Sequence, residues 1–126
     1  MEKYEILKDM VIEYKGKTLY RIRALKNFDD IKTGDLGGYV ENYNNLSQEG
    51  NCWIFNNAKV YGSAMVFGDA KVYDYAEVYD YAEIYENAKV YEYAEVFENA
   101  KIDDNTIIGK VNLIRYLRYK IQFAIN

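Results

Sequence analysis

The chain contains no histidine, no proline and a single cysteine. Without histidine it lacks the commonest general base at neutral pH and the commonest metal ligand. Cys52 alone cannot close an internal disulfide, so no secreted, disulfide-stapled framework is expected. No window of about 18 apolar residues is present, which excludes a helical membrane span by length. The opening residues Met1 to Glu5 lead into no small-residue cleavage pattern. A soluble protein of the cytoplasm is the expectation, with no membrane partner.

Aromatic residues and carboxylates are what the chain has in excess. Its 126 residues fit one domain with a modest core. Tyrosine occurs 15 times against 5 Phe and one Trp, and tyrosine carries a polar tip suited to a partly exposed surface. The net charge of -4 is unevenly spread. Residues 1–50 hold 8 basic and 9 acidic side chains, residues 51–109 hold 4 and 11, and residues 110–126 hold 4 and none. A middle block of net charge -7 repels phosphate backbones and argues against direct nucleic-acid binding.

From residue 58 a period of six governs the sequence. Ala58, Ala64, Ala70, Ala76, Ala82, Ala88, Ala94 and Ala100 are each followed two residues later by Val or Ile. Cys52 with Ile54, and Thr106 with Ile108, continue the pattern at the two ends. Period six does not match the 3.6 of a helix. It suits short strands in which Val60 points inward while Lys59 and Tyr61 point outward, with a small residue at each corner. Three hexads close one triangular coil of 18 residues, so like residues stack at that separation. The predicted inner columns are Val60–Val78–Val96, Val66–Ile84–Ile102 and Val72–Val90–Ile108, β-branched shapes suited to a narrow core. Such tight hexads resemble the left-handed parallel β-helix, and the left hand is taken from that resemblance.

The predicted fold is therefore all-β, a left-handed parallel β-helix of about three coils over residues 40–109. Residues 1–39 form an N-terminal cap. Within it, residues 10–14 and 18–24 flank Lys15, Gly16 and Lys17 as a β-hairpin, followed by a glycine-rich lead-in. Residues 110–126 form a C-terminal cap, with Leu113, Ile114, Leu117 and Ile121 at the spacing of a short amphipathic helix; a final strand is the alternative.

The outward positions supply the candidate partner surface. Tyr61, Tyr79 and Phe97 form one column, Phe67 and Tyr85 a second, and Tyr73 and Tyr91 a third. Stacked aromatics can stabilise neighbouring strands or form a rigid interface. Asp80 stacks on Glu98 and Glu77 on Glu95. Paired carboxylates can act as acid and base, but they are also what a solvated solenoid surface produces. They would equally permit mimicry of DNA phosphates, although they spread over three faces. Lys71 and Lys89 on the third face make an anion or nucleotide contact thinkable. Cys52 reads as a small inward corner residue, since it stands where Ala stands elsewhere. No metal and no cofactor are expected.

Two resemblances extend this picture. The hexads are similar to those of acyltransferases, whose likeness implies a site at a trimer interface around a histidine base, with acyl-coenzyme A bound nearby. No residue here fills the histidine role, and the hexads run without an inserted loop, so acyl transfer stands as the weaker alternative. The segments Tyr20-Arg21-Ile22-Arg23-Ala24-Leu25, Gly34-Asp35-Leu36-Gly37-Gly38-Tyr39-Val40-Glu41 and Asn45-Leu46-Ser47-Gln48-Glu49-Gly50-Asn51, followed by repeats such as Asn57-Ala58-Lys59-Val60, resemble small hexapeptide-repeat proteins of phages and prophages. That likeness implies a non-enzymatic protein acting in the host cytoplasm. By analogy of context it implies an inhibitor of host defence, anti-CRISPR-like, that occludes a nuclease or immune effector complex through its acidic, Tyr-rich surface. A self-associating structural protein is a further alternative, and the exposed ladders suit a homodimer.

Overall fold

The computed structural model describes residues 1–109, and the predicted C-terminal cap lies outside the described residues. The described part is all-β: a left-handed parallel β-helix with a β-hairpin and a glycine-rich lead-in at its N-terminal end. Strand β1 spans Tyr4–Tyr14, β2 Lys17–Ala24 and β3 Leu36–Val40, and a 3-10 turn follows at Tyr43–Asn45. Ten two-residue strands then recur along the hexads: β4 Trp53–Ile54, β5 Lys59–Val60, β6 Met65–Val66, β7 Lys71–Val72, β8 Glu77–Val78, β9 Glu83–Ile84, β10 Lys89–Val90, β11 Glu95–Val96, β12 Lys101–Ile102 and β13 Ile107–Ile108.

Each strand pairs in parallel with the strand one coil away. Face A holds β5, β8 and β11, face C holds β6, β9 and β12, and face D holds β4, β7, β10 and β13. The register sets Val60 beside Val78, Ile84 beside Ile102 and Val72 beside Val90. Amide-to-carbonyl bonds such as Lys59 to Ala76 and Tyr61 to Val78 hold one coil to the next. The corner alanines and the inward Val and Ile side chains, as far as Ile102, are fully buried and form one continuous core.

The solenoid has about four turns rather than three, because Val40, Leu46 and Ile54 complete an irregular first coil. Val40 pairs with Val60 and Leu46 bridges to Val66, each 20 residues on, whereas Ile54 pairs with Val72 after 18. Two extra residues therefore lie between Leu46 and Ile54. They are absorbed around Gly50, which adopts φ +73° and approaches so closely that a Cβ would stand 2.4 Å from the carbonyl oxygen of Gly68. Gly38 is constrained in the same way in β3, where a Cβ would stand 2.5 Å from the oxygen of Ala58.

Strand β3 joins the solenoid to the cap, since it runs parallel to β5 and antiparallel to β2. The hairpin thus lengthens face A to six strands, ordered β1-β2-β3-β5-β8-β11. It begins six residues earlier than the apolar pattern suggested. Its turn, Lys15 and Gly16, has φ of 51° and 79°, the doubly positive geometry that matches the twist of a two-residue hairpin. The outer edge of β1 is bulged between Ile6 and Val11 and carries Lys8 and Asp9, which discourages further strand pairing.

The corners explain much of the acidity. One residue per hexad has left-handed φ: Asn56, Gly62, Gly68, Asp74, Asp80, Glu86, Glu92, Glu98 and Asp104, at 56° to 68°. That conformation turns the chain sharply and leaves backbone N–H groups facing the neighbouring coil. Side chains of the same corner column accept them: Asn56 from the Asp74 amide at 3.0 Å, Asp74 from Glu92 at 2.9 Å, Asp80 from Glu98 at 2.9 Å and Glu86 from Asp104 at 2.7 Å. Asp74, Asp80 and Glu86 are thus backbone acceptors first.

This arrangement separates two substitutions. Glu98→Gly keeps the amide that donates to Asp80 and removes the left-handed strain of a side-chain-bearing residue, so it should stabilise the fold by about 0.5–1 kcal/mol. Asp80→Gly removes the same strain but also the acceptor of the Glu98 amide, a bond worth roughly 0.5–1.5 kcal/mol, and should gain nothing. Thermal unfolding of both variants beside the parent protein decides it; equal stabilisation would show that the carboxylate ladder contributes nothing.

Candidate functional site

The expected partner surface is largely occupied by contacts within the chain. Tyr61, Tyr79 and Phe97 stack with ring centroids 5.2 and 5.4 Å apart, and Phe67 lies 5.0 Å from Tyr85. Tyr73 stacks instead on Phe55 of the coil above, at 4.5 Å. Tyr61 is buried, because the end of the hairpin folds down over face A and sets Tyr14 edge-on against it at 6.1 Å. Tyr91 is half-buried on face D.

The carboxylates expected beside these rings are tied to them. Glu77 accepts the hydroxyls of both Tyr61, at 3.0 Å, and Tyr14, and its carboxylate lies 3.6 Å from the Lys15 ammonium. Glu95, its register partner, accepts the Tyr79 hydroxyl at 2.9 Å, and Asp103 accepts that of Tyr85 at 3.2 Å. Asp80 and Glu98 belong to the corner ladder described above. The exposed tyrosines among the described residues are Tyr43, Tyr75, Tyr81 and Tyr93; Tyr75 and Tyr93 stack at 5.1 Å, as their separation of 18 leads one to expect, while Tyr43 and Tyr81 were not in the expected surface.

At the N-terminal end the chain crosses the first coil as a strap. Gln48 accepts the Lys3 and Tyr4 amides at 2.8 and 3.1 Å and donates to the Tyr4 carbonyl at 3.2 Å, imitating a strand partner. The Lys3 ammonium is buried among the carbonyl oxygens of Cys52, Gly50 and Glu49, at 2.8, 3.2 and 3.4 Å, with the Cys52 sulfur at 3.3 Å. Burial lowers the Lys3 pKa, while the same burial raises that of the Cys52 thiol against the pull of Lys3. Cys52 is therefore a protonated, inaccessible corner residue. Lys3 has no signal in the sequence beyond being one charge among many.

The lead-in loop creates a concave polar region. Phe28 and Ile31 bridge to each other, and Phe28 packs edge-on against Trp53 at 5.3 Å, which anchors the loop over the top of face D. Asp29, with φ 51°, then reaches the Lys71 ammonium at 3.0 Å. Below this overhang runs an open groove of about 430 Å³, a size suited to a small ligand. Its roof is Asp29 and Asp30, its floor Lys71, Lys89 and Tyr73, and its side wall Asn51, Asp69 and Asn87. Lys71 and Lys89 are register partners on β7 and β10, so two like charges sit one coil apart, and only Lys71 is answered by Asp29. Burial lifts the Tyr73 pKa, with Asp29 and Asp30 adding to the rise and Lys71 opposing it, so its phenol stays a hydrogen-bond donor at neutral pH. Chemically the groove offers carboxylates, two ammonium groups, carboxamides and a phenol. Among the described residues no group of three metal-ligating side chains is assembled, and no helix is long and apolar enough to cross a membrane.

No family model matches the chain. A stretch of 41 residues, 32% of this chain, is 42% identical to the uncharacterized acetyltransferase YdcK of Escherichia coli (strain K12), and covers only 13% of that protein's length. This likeness overturns the expectation of a non-enzymatic, phage-type inhibitor of host defence: the named relative is an acetyltransferase, and nothing in it points to a phage or to occlusion of a nuclease. The expected absence of enzymatic activity is corrected with it. Acyl transfer stood last among the expected readings, because the hexads carry no inserted loop and above all because histidine is missing. That weighed one residue type too heavily, since a carboxylate can receive the proton of an attacking amine, or the amine can arrive already deprotonated.

The tyrosine–carboxylate contacts carry a pH dependence. Burial, then the hydrogen bond to Glu77, pushes Tyr14 up to about 12, and Tyr61 and Tyr79 are raised by burial and by Glu77 and Glu95. Unfolded tyrosines ionise near about 10. The unfolded chain therefore releases protons that the folded one holds. Stability should be flat below about pH 10 and fall as pH rises toward 12 and beyond. Denaturation midpoints from pH 8 to 12, read beside phenolate absorbance, should show this loss, and Tyr14→Phe should make it shallower. An unchanged midpoint at pH 11 would contradict the assignment.

Proposed function

We propose that the protein transfers an acyl group from a thioester donor to a small amine, using the groove between the lead-in loop and face D. What carries this reading is the 42% identity over 41 residues to an acetyltransferase in a chain built as a hexad solenoid. The groove adds what such chemistry needs: a rigid floor of parallel strands, carboxylates that can take a proton, and donors from Lys71, Lys89 and Tyr73 that can hold a polar group. In the transfer the amine nitrogen attacks the thioester carbonyl, the C–N bond forms, the C–S bond breaks, and the departing thiolate takes up a proton. Asp30 and Asp69 are the carboxylates placed to receive the proton that the amine loses.

The test is thiol release from acetyl-coenzyme A, followed with a thiol-reactive chromophore in the presence of amine acceptors. Release should depend on acceptor, and the rate should rise steadily from about pH 5.5 to 9 as more amine is unprotonated. It should show no inflection near about 6.5, where a histidine base would titrate. Release no faster than in the protein-free control, with millimolar donor and both amine and hydroxyl acceptors, would overturn the reading.

A further inference from the structure

We infer that the groove under the lead-in loop binds a zwitterionic α-amino acid, with its carboxylate on Lys89 and its ammonium on Asp30 and Asp69. The inference deepens the acyl-transfer reading, on which it rests for the role of the bound molecule: the amino acid is the acceptor, acylated on nitrogen.

The charge pattern of the groove carries this. Strand register sets Lys89 directly beside Lys71, and like charges opposed on neighbouring strands are unfavourable. Asp29 resolves only half of that conflict, because its carboxylate is 3.0 Å from Lys71 while Lys89 has no ion-pair partner among the described residues. A bound carboxylate would resolve the other half. The roof and side wall are complementary. Asp30 and Asp69 also lack ion-pair partners among the described residues, and Asp69 spends one oxygen on the Asn51 amide at 3.2 Å. They provide acceptors for an ammonium. A purely anionic ligand, such as a diphosphate, meets three carboxylates in this groove, and a purely cationic one meets two lysines. A small molecule bearing both charges satisfies the lysine floor and the carboxylates of roof and side wall. Asn51, Asn87 and the protonated phenol of Tyr73 supply uncharged hydrogen bonds between them.

The step balances without a redox partner. The ammonium gives one proton to a carboxylate or to solvent, the nitrogen attacks the thioester carbonyl carbon, and the amine's second proton is lost as the amide forms. The carbon–sulfur bond breaks and the thiolate is protonated. The groove's carboxylates thus bind the acceptor first and take its proton second.

Binding can be read without the donor. The ¹⁵N-labelled protein is titrated by NMR with each of the protein amino acids, and with ethylamine and propionate as the two halves of alanine. At least one amino acid is expected to shift the amides of face D around Lys71 and Lys89, and to bind at least tenfold more tightly than either half. Lys89→Glu should weaken it at least tenfold with the amide spectrum of the remaining coils unchanged, and Asp30→Asn should weaken it several-fold. The same amino acids are then offered as acceptors with acetyl-coenzyme A, and the product is identified by mass. Binding with N-acetylation supports both readings. Binding without acetylation supports the zwitterion site and removes the acyl-transfer role. Acetylation of other amines, with no amino acid bound, overturns the inference and leaves acyl transfer standing. Shifts produced by inorganic pyrophosphate but by no amino acid also overturn it, and assign the lysines to the donor.

Discussion

Everything in this molecule depends on returning the chain to the same place every eighteen residues. A strand of two residues gains little from pairing by itself. The gain comes from repetition: each inward Val or Ile lies on another, each corner alanine on another, and each backbone amide meets the carbonyl of the next coil. The condition for closing the coil is a sharp left-handed corner in every hexad. Most sequences meet it with glycine or asparagine. This one meets it mainly with aspartate and glutamate, and it recovers some of the conformational cost where Asp74, Asp80 and Glu86 each accept an amide from the adjacent coil. The net charge of the middle block is thus partly a product of backbone geometry.

The irregular N-terminal third follows from the same condition. A stack of coils must stop somewhere, and its last open edge has to be covered. Here β3 continues face A upward into the hairpin, the Lys3 strap and Gln48 close the first coil, and Phe28 and Trp53 fix the lead-in loop over face D. The groove is a by-product of this capping. It exists because the loop overhangs a flat sheet at the one place where Asp29 can be drawn down to Lys71.

The repeated part of the fold was legible because period six matches no helix and each hexad restates the same three instructions: small corner, inward branched residue, turn. The first coil was harder to see. Val40, Leu46 and Cys52 stand six apart, yet the third inward residue is Ile54, and the two-residue insertion is hidden by that accidental spacing. Outward columns were also legible as columns, but their exposure was not. Tyr61 lost its solvent to Tyr14, a residue 47 positions earlier, and no local pattern announces that the hairpin end folds down. The groove was the least legible element. Lys71 and Lys89 stood out on the third face, but Asp29 and Asp30 come over them only through an irregular loop that periodicity does not describe.

Acidity and tyrosine content were the features that favoured a protein-binding surface, and the structure assigns most of both to internal bonding. The corner carboxylates hold amides, Glu77 and Glu95 hold phenols, and the stacked rings cover the strand pairs between coils. A feature that the fold requires carries little information about a partner. Weight therefore passes to the charges the fold does not require. Lys89 stands beside a like charge that β pairing would sooner avoid, and Asp30 and Asp69 face it from a loop and a corner without ion-pair partners among the described residues. Residues left in electrostatic conflict by an otherwise self-satisfied solenoid are where a ligand has most to offer, and in this chain they share one groove.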